Sequence, residues 1–283
     1  MAPATESTDL YLAPGWIDIQ VNGFAGVDYN TPASSHEEIA RSVRVIRASG
    51  VTRFYPTVIT GAPDDMLTAL RNLSSAKDTL PEGSSMDGFH VEGPHISPED
   101  GPRGAHPKRW VRPPDFDEFR RWQDATKHRI RLVTLAPEWP EAPHYIEQVT
   151  ATGVVVSIGH TNAETKHIEA AVAAGATLST HLGNGAHPVI RRHPNYILDQ
   201  LAEDRLMADF IVDGVHLPPS FVKVAMRAKG LERAVLVTDA SSPAGCKPGR
   251  YYQGEQAVDL TEDYHVVLAG QNRLAGSALS MDR

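Results

Sequence analysis

Eight short apolar runs, rich in β-branched residues, recur along the chain, and several are spaced to leave room for one helix in between. They are Gly15–Asn22, Val51–Thr57, Gly88–Glu92, Ile130–Ala136, Val154–Ile158, Ala176–His181, Met207–Val212 and Ala234–Thr238. Strand, polar loop and amphipathic helix repeated in that order read as consecutive βα units around a parallel sheet. A chain of 283 residues suits one α/β (β/α)8 barrel of the TIM type, which needs about 250 residues. Two helices are well signalled. His36–Ser49 carries Ile39, Val43 and Ile46 on one face and ends at Gly50. Ala163–Ala174 follows Thr161 and Glu164, a capping-box spacing, and stops at Gly175. An open doubly wound sheet is the alternative architecture. No glycine-rich dinucleotide fingerprint follows the first strand, so the barrel is preferred.

Pro- and Gly-rich connections cluster at Gly93–Pro114 and Ser241–Arg250. The first is too long for a simple βα loop, and such loops at the C-terminal face of a barrel usually carry function. Beyond Asp239, Tyr251–Val267 reads as strands with turns rather than another barrel unit. The expected organisation is an N-terminal arm over 1–11 and a barrel domain over 12–283. The net charge of −8 argues against a nucleic-acid surface or an anionic membrane as the main partner. It leaves room for a small anionic substrate, because local arginines and helix N-termini can hold a phosphate inside an acidic protein. A single cysteine, Cys246, permits no intramolecular disulfide and fits a reducing cytosol, so a cytoplasmic location is expected. No run approaches eighteen apolar residues, and Met1–Pro14 lacks the apolar core of a signal peptide.

The polar residues that carry chemistry sit at strand ends. Glu92 closes the third run, His160 follows the fifth, His181 closes the sixth, His216 follows the seventh and Asp239 follows the eighth. In a barrel those ends converge on one face, so residues far apart in sequence share a site. With 13 histidines in the chain, any one of them alone is more simply a core or loop residue. Four metal-competent side chains at the same end of four different strands are harder to explain by accident. Two imidazoles and a carboxylate are the ligand set of a catalytic zinc-like site that keeps a position open for water.

Seven segments occur in a fixed order: Leu12-Ala-Pro-Gly-Trp-Ile-Asp18, Gly88-Phe-His-Val-Glu-Gly-Pro94, Gly159-His-Thr-Asn162, Thr180-His-Leu-Gly-Asn184, Asp213-Gly-Val-His216, Val237-Thr-Asp-Ala240 and Ala275-Gly-Ser-Ala-Leu279. This ordered set resembles the N-acetylglucosamine-6-phosphate deacetylases of the amidohydrolase superfamily, from about residue 12 onward. The resemblance implies Glu92, His160 and His181 as ligands of a divalent metal, zinc or another such as iron. It implies Asp239 as the group that takes a proton from water and returns it to the departing amine. Ala105 and His106, from the long loop after strand three, would contact the substrate. So would Asn184 and Gly185, whose backbone would approach its phosphate, and His216 on its sugar. Arg192 would bind the phosphate, often across a dimer interface, so a homodimer is implied. Leu274, Ala275 and Gly276 form a late substrate-contacting segment. Gln20 and Asn22 are two apart and face one side of a strand, where much of the superfamily has His-x-His and a second metal. Carboxamides are poor ligands for zinc-like ions, so one metal per chain is expected. His90, on the same strand face as Glu92, is read as filling the barrel.

Two features depart from that pattern. His187 follows Asn184-Gly185-Ala186, where the family usually has Asn-Ala-Met, which remodels the phosphate loop. The family also carries a small β-sandwich domain built from both chain ends, and here it is expected to be truncated or missing. The expected reaction is hydrolysis of an N-acetyl amino sugar 6-phosphate to acetate and the free amine. The alternatives are a single-metal amidohydrolase acting on the galactosamine epimer or an unphosphorylated N-acetyl sugar, and a non-catalytic sugar-phosphate-binding relative.

Overall fold

The computed structural model describes residues 12–283; the N-terminal arm expected over 1–11 lies outside the described residues. All eight apolar runs form strands: β1 (Trp16–Val21), β2 (Val51–Ile59), β3 (Phe89–Glu92), β4 (Ile130–Leu135), β5 (Val155–Ile158), β6 (Leu178–Ser179), β7 (Met207–Ile211) and β8 (Ala234–Val237). They are parallel and pair in sequence order. Seven helices alternate with them: α1 (His36–Ala48), α2 (Pro63–Thr79), α3 (Phe116–Ala125), α4 (Ala142–Thr150), α5 (Thr165–Ala173), α6 (Tyr196–Ala202) and α7 (Pro219–Lys229). The barrel reading holds, and after β8 the chain turns to a three-stranded antiparallel sheet, β9 (Gly249–Gln253), β10 (Gln256–Leu260) and β11 (Val266–Leu268), rather than an eighth barrel helix.

Closure between β8 and β1 rests on a few contacts. Val21 bridges Ala240, and the Asn22 N–H donates to the Ala240 carbonyl at 2.7 Å. The Thr238 hydroxyl donates to Asp18 Oδ2 at 2.6 Å, and its N–H to Oδ1 at 3.3 Å. Burial pushes the Asp18 carboxyl up to about 7 against these hydrogen bonds.

Alternation along each strand separates two environments. Phe89 and Val91 join the main core with Val133, Val156 and Ile158, and with Val43, Leu70, Trp122 and Ile146 from the helices. Inside the barrel the side chains are polar. His90 lies 2.8 Å from Thr134 Oγ1, Thr134 lies 2.7 Å from Thr180 Oγ1, and Thr180 lies 2.6 Å from Ser157 Oγ, all of them buried. This hydrogen-bonded belt fills the lumen beneath the strand ends, and His90 belongs to it. Polar groups this deep need such partners, because an unpaired one costs about 1–3 kcal/mol.

Helix α1 begins as the pattern requires: the Ser35 hydroxyl accepts from the Glu38 N–H at 3.3 Å, and Glu38 accepts in return from the Ser35 N–H at 2.9 Å. Ile39, Val43 and Ile46 are buried. The start of α5 differs from expectation. Its N-cap is Glu164, whose N–H donates to His167 Nδ1 at 3.1 Å. Thr161 instead hydrogen-bonds Glu138, which also accepts from the Asn162 N–H. With its hydroxyl on Glu138, Thr161 does not cap α5, and the helix starts at Thr165.

Candidate active site

The loops at the C-terminal ends of the strands enclose the largest cavity described, about 570 Å³. Glu92, His106, His160, His181, His216 and Asp239 all line it. Three of them have an unusual backbone. His160, His181 and Asp239, just past β5, β6 and β8, have φ of 51°, 29° and 49°. Non-glycine residues rarely adopt this left-handed region, and it recurs at functional sites where surrounding structure enforces it. Each strand thereby turns sharply where its last side chain enters the cavity.

Two ring nitrogens converge on one carboxylate oxygen. His181 Nε2 lies 2.8 Å and His160 Nε2 3.2 Å from Glu92 Oε1. His160 is aimed by its other nitrogen, Nδ1, which meets the Pro102 carbonyl at 2.8 Å. Two glycines let loops close on it: a Cβ on Gly185 would stand 2.6 Å from His160 Nδ1, and one on Gly104 would stand 3.1 Å from Cε1. His181 is fixed through its backbone N–H, which donates to Asp209 Oδ1 at 2.5 Å. His106 packs edge-on against His160, ring centroids 4.4 Å apart, with Nδ1 2.8 Å from the Thr60 hydroxyl. Ligand-competent atoms of Glu92, His106 and His160 lie within 4.8 Å of one another.

Electrostatics favour a cation on this floor. Burial would raise the Glu92 carboxyl, yet the hydrogen bonds and charges of His160 and His181 hold it well below the usual carboxylate range. Burial would lower His181, yet Glu92, with Asp239 and Asp209 behind it, drives it up to about 9. Asp239 is raised to about 6, by burial first and by the Glu92 charge second. Burial, with a smaller push from His160, lowers His106 to about 3, so its ring is neutral at physiological pH. Gln20 Oε1, Asn22 Oδ1, His181 Nδ1, Asn184 Nδ2 and Asp209 Oδ2 are buried with no hydrogen-bond partner among the described residues. Buried polar atoms without partners call for an explanation, and a bound ion or water is one. The donor set fits a divalent transition metal. Tetrahedral bonds of about 2.0–2.2 Å place ligand atoms roughly 3.3–3.6 Å apart, near the 3.2 Å His160–Glu92 spacing and wider than the 2.8 Å His181–Glu92 one.

The chain aligns with curated N-acetylglucosamine-6-phosphate deacetylases. The Bacillus subtilis enzyme is 35% identical over 277 residues, covering 97% of this chain and 68% of the relative. The Bos taurus enzyme is 39% identical over 285 residues, covering 96% and 67%. The chain belongs to the N-acetylglucosamine-6-phosphate deacetylase family. The fold agrees: a Mycobacterium smegmatis N-acetyl-D-glucosamine-6-phosphate deacetylase mutant, solved in complex with N-acetyl-D-glucosamine-6-phosphate, superposes with a TM-score of 0.87 at 34% identity. That match covers 95% of this chain and 68% of the other. No family model matches the chain.

Among the residues expected from the deacetylase motifs, Ala105, Asn184, Gly185, Leu274, Ala275 and Gly276 also line the cavity. His216 is oriented by Asp213, which lies 2.6 Å from its Nδ1. Arg192 is exposed and is not part of the cavity wall; its neighbour Arg191 borders a separate, smaller pocket. His187, in the loop that departs from the motif pattern, lines the cavity and anchors the loop after β6. Its N–H donates to the Tyr196 hydroxyl at 2.9 Å.

Four positions were not singled out as part of the site from sequence. Asp209 supports His181 from the middle of β7, and a lone acid in an otherwise apolar run was the available signal. Gln253 and Gln256, on β9 and β10, and Arg273, after β11, form part of the cavity wall. Nothing in their local pattern shows which face of the barrel this sheet covers. Gln20 and Asn22, read only as lost metal ligands, have a visible task. Gln20 Nε2 and Asn22 Nδ2 donate to Asp239 Oδ1 at 3.1 and 2.6 Å.

Proposed function

We propose that the chain hydrolyses N-acetylglucosamine 6-phosphate to glucosamine 6-phosphate and acetate, with Glu92, His160 and His181 holding one divalent metal, zinc or a similar ion such as iron. The convergence of His160 and His181 on Glu92, with Asp239 opening on the same cavity, carries the reading. A metal bound there supplies Lewis-acid polarisation of the acyl carbonyl and lowers the pKa of water.

The chain's own groups do the rest. Asp239, held by Gln20 and Asn22, takes the proton from the attacking water and delivers it to the leaving nitrogen. A Thr60 hydroxyl donating to His106 Nδ1 leaves the proton of that neutral ring on Nε2, where it can stabilise negative charge growing on the carbonyl oxygen. His216, braced by Asp213, offers its other nitrogen to the sugar. Asn184 and Gly185 border the phosphate side. In a homodimer, Arg192 of the partner subunit would add a cation there. The reading places the chain in the cytoplasm; no described helix is long and apolar enough to cross a membrane.

Acetate release from N-acetylglucosamine 6-phosphate, its galactosamine epimer and the two unphosphorylated sugars tests the reading. N-acetylglucosamine 6-phosphate should be preferred. Asp239→Asn should lower turnover about 10²–10⁴-fold with metal content unchanged. A variant that kept most of its activity would assign the proton transfer to another group.

A further inference from the structure

We infer that Asp209 is a positioning residue for His181, gripping that histidine at two points: the backbone N–H it already holds and the ring nitrogen Nδ1. The inference rests on the metal reading above, in which His181 ligates through Nε2, and names the group that fixes the ring from behind. Asp209 lies in the middle of β7 and is buried, in a strand otherwise built of Met207, Ala208, Phe210 and Ile211. A carboxyl group so deep in an apolar strand is costly unless it has partners. One is present: Oδ1 accepts from the His181 N–H at 2.5 Å.

The second partner follows from two atoms left over. Asp209 Oδ2 and His181 Nδ1 are both buried without a hydrogen-bond partner among the described residues. They are complementary. Nε2 of His181 is the nitrogen that faces Glu92, 2.8 Å from Oε1. A metal ligated there takes the Nε2 lone pair, so the ring proton sits on Nδ1. A buried N–H with no acceptor is unfavourable. Metal-bound histidines ordinarily give that proton to a carboxylate, a backbone carbonyl or water, which fixes the tautomer and the ring plane. A carboxylate already seated on the same residue is the acceptor at hand. The chain makes the complete form of this grip at the same cavity. Asp213 Oδ1 accepts from the His216 N–H at 2.8 Å, and its Oδ2 lies 2.6 Å from His216 Nδ1. His160, the other histidine of the proposed ligand set, is braced as well, its Nδ1 meeting the Pro102 carbonyl at 2.8 Å. His181 is the one whose second nitrogen lacks a brace among the described residues, and Asp209 Oδ2 supplies it.

The test compares wild type, Asp209→Asn and Asp209→Glu as full chains, with readouts that do not depend on turnover. Zinc affinity is measured by competition with a chromophoric chelator. The imidazole N–H signals of the zinc-loaded chains are followed by nitrogen-edited NMR. Asparagine keeps one oxygen for the His181 backbone N–H but replaces the other with an NH₂ group, which cannot accept from Nδ1. Asp209→Asn should weaken zinc binding about 10–100-fold, the usual cost of losing such a partner, and glutamate should recover part of the loss. Zinc-loaded wild type should show a solvent-protected Nδ1–H for His181, absent from Asp209→Asn. A wild-type spectrum without that signal would overturn the proposal with no variant required. So would zinc affinity in Asp209→Asn within about twofold of wild type, well short of the cost of such a partner. Equal losses in both variants with the signal intact would make Asp209 a spacer between strands and overturn it too. Tight zinc binding in wild type that ignores Asp209 would sink the grip alone. A wild-type chain that bound no zinc would sink the metal reading, and the grip with it.

Discussion

Asp239 can work as a base at neutral pH because the His181 and His216 charges and the Asn22 hydrogen bond oppose the effect of its burial. Burial and Glu92 raise its carboxyl to about 6, and the Asn22 hydrogen bond pulls the other way. Only the ionised form accepts a proton, so kcat/KM should rise with pH along a limb centred at or below about 6, since a bound cation lowers that value further. Removing a donor to a carboxylate raises its pKa. Asn22→Ala should therefore move the limb to higher pH while metal content stays constant, measured as pH–rate profiles of the two chains. An unmoved limb would separate Asn22 from the base. At this scale the sequence was informative about residue type and silent about conformation. Glu92, His160, His181 and Asp239 stood out as polar ends of apolar strands. The left-handed backbone that aims three of them has no sequence signature, because none is glycine. Gln20 and Asn22 could be read as ligands lost but not as partners gained, since Asp239 lies about 220 residues away.

Strands were legible because β-branched runs bounded by polar turns have few other uses, and their ends all fall within two residues of expectation, β6 losing two at each end. The junction of β8 with β1 was not legible, because it depends on side chains from opposite ends of the barrel. Asp18 is the buried acid in that junction. Its carboxyl is raised from 3.8 to about 7, so between those values the folded chain holds a proton that the unfolded chain has released. Stability from this group is therefore fully present below the unfolded value and falls as pH rises through about 7. The fall is on the order of 4 kcal/mol at most. Asp18→Asn keeps the shape without the charge, and Thr238 Oγ1 lies 3.5 Å from the Gln20 carbonyl, an alternative acceptor for its proton. Melting temperatures of the two chains should diverge in favour of asparagine from pH 5 to pH 8. A difference constant with pH would show that Asp18 does not titrate in this range.

For the whole molecule, one barrel mouth gathers the proposed metal donors and base, the loops after the strands and a wall from the late antiparallel sheet. The strand order and the deacetylase motifs pointed to most of this arrangement. They did not point to Gln253, Gln256 or Arg273, because no periodicity records where a sheet outside the barrel docks. Everything proposed for the chemistry depends on a single metal held by Glu92, His160 and His181. Acetate release by metal-stripped chain, followed as zinc is added back, tests this most directly. Activity should be near zero without metal and should rise linearly to a plateau at one equivalent per chain. Full activity in the stripped chain, or a plateau reached only at two equivalents, would contradict the account.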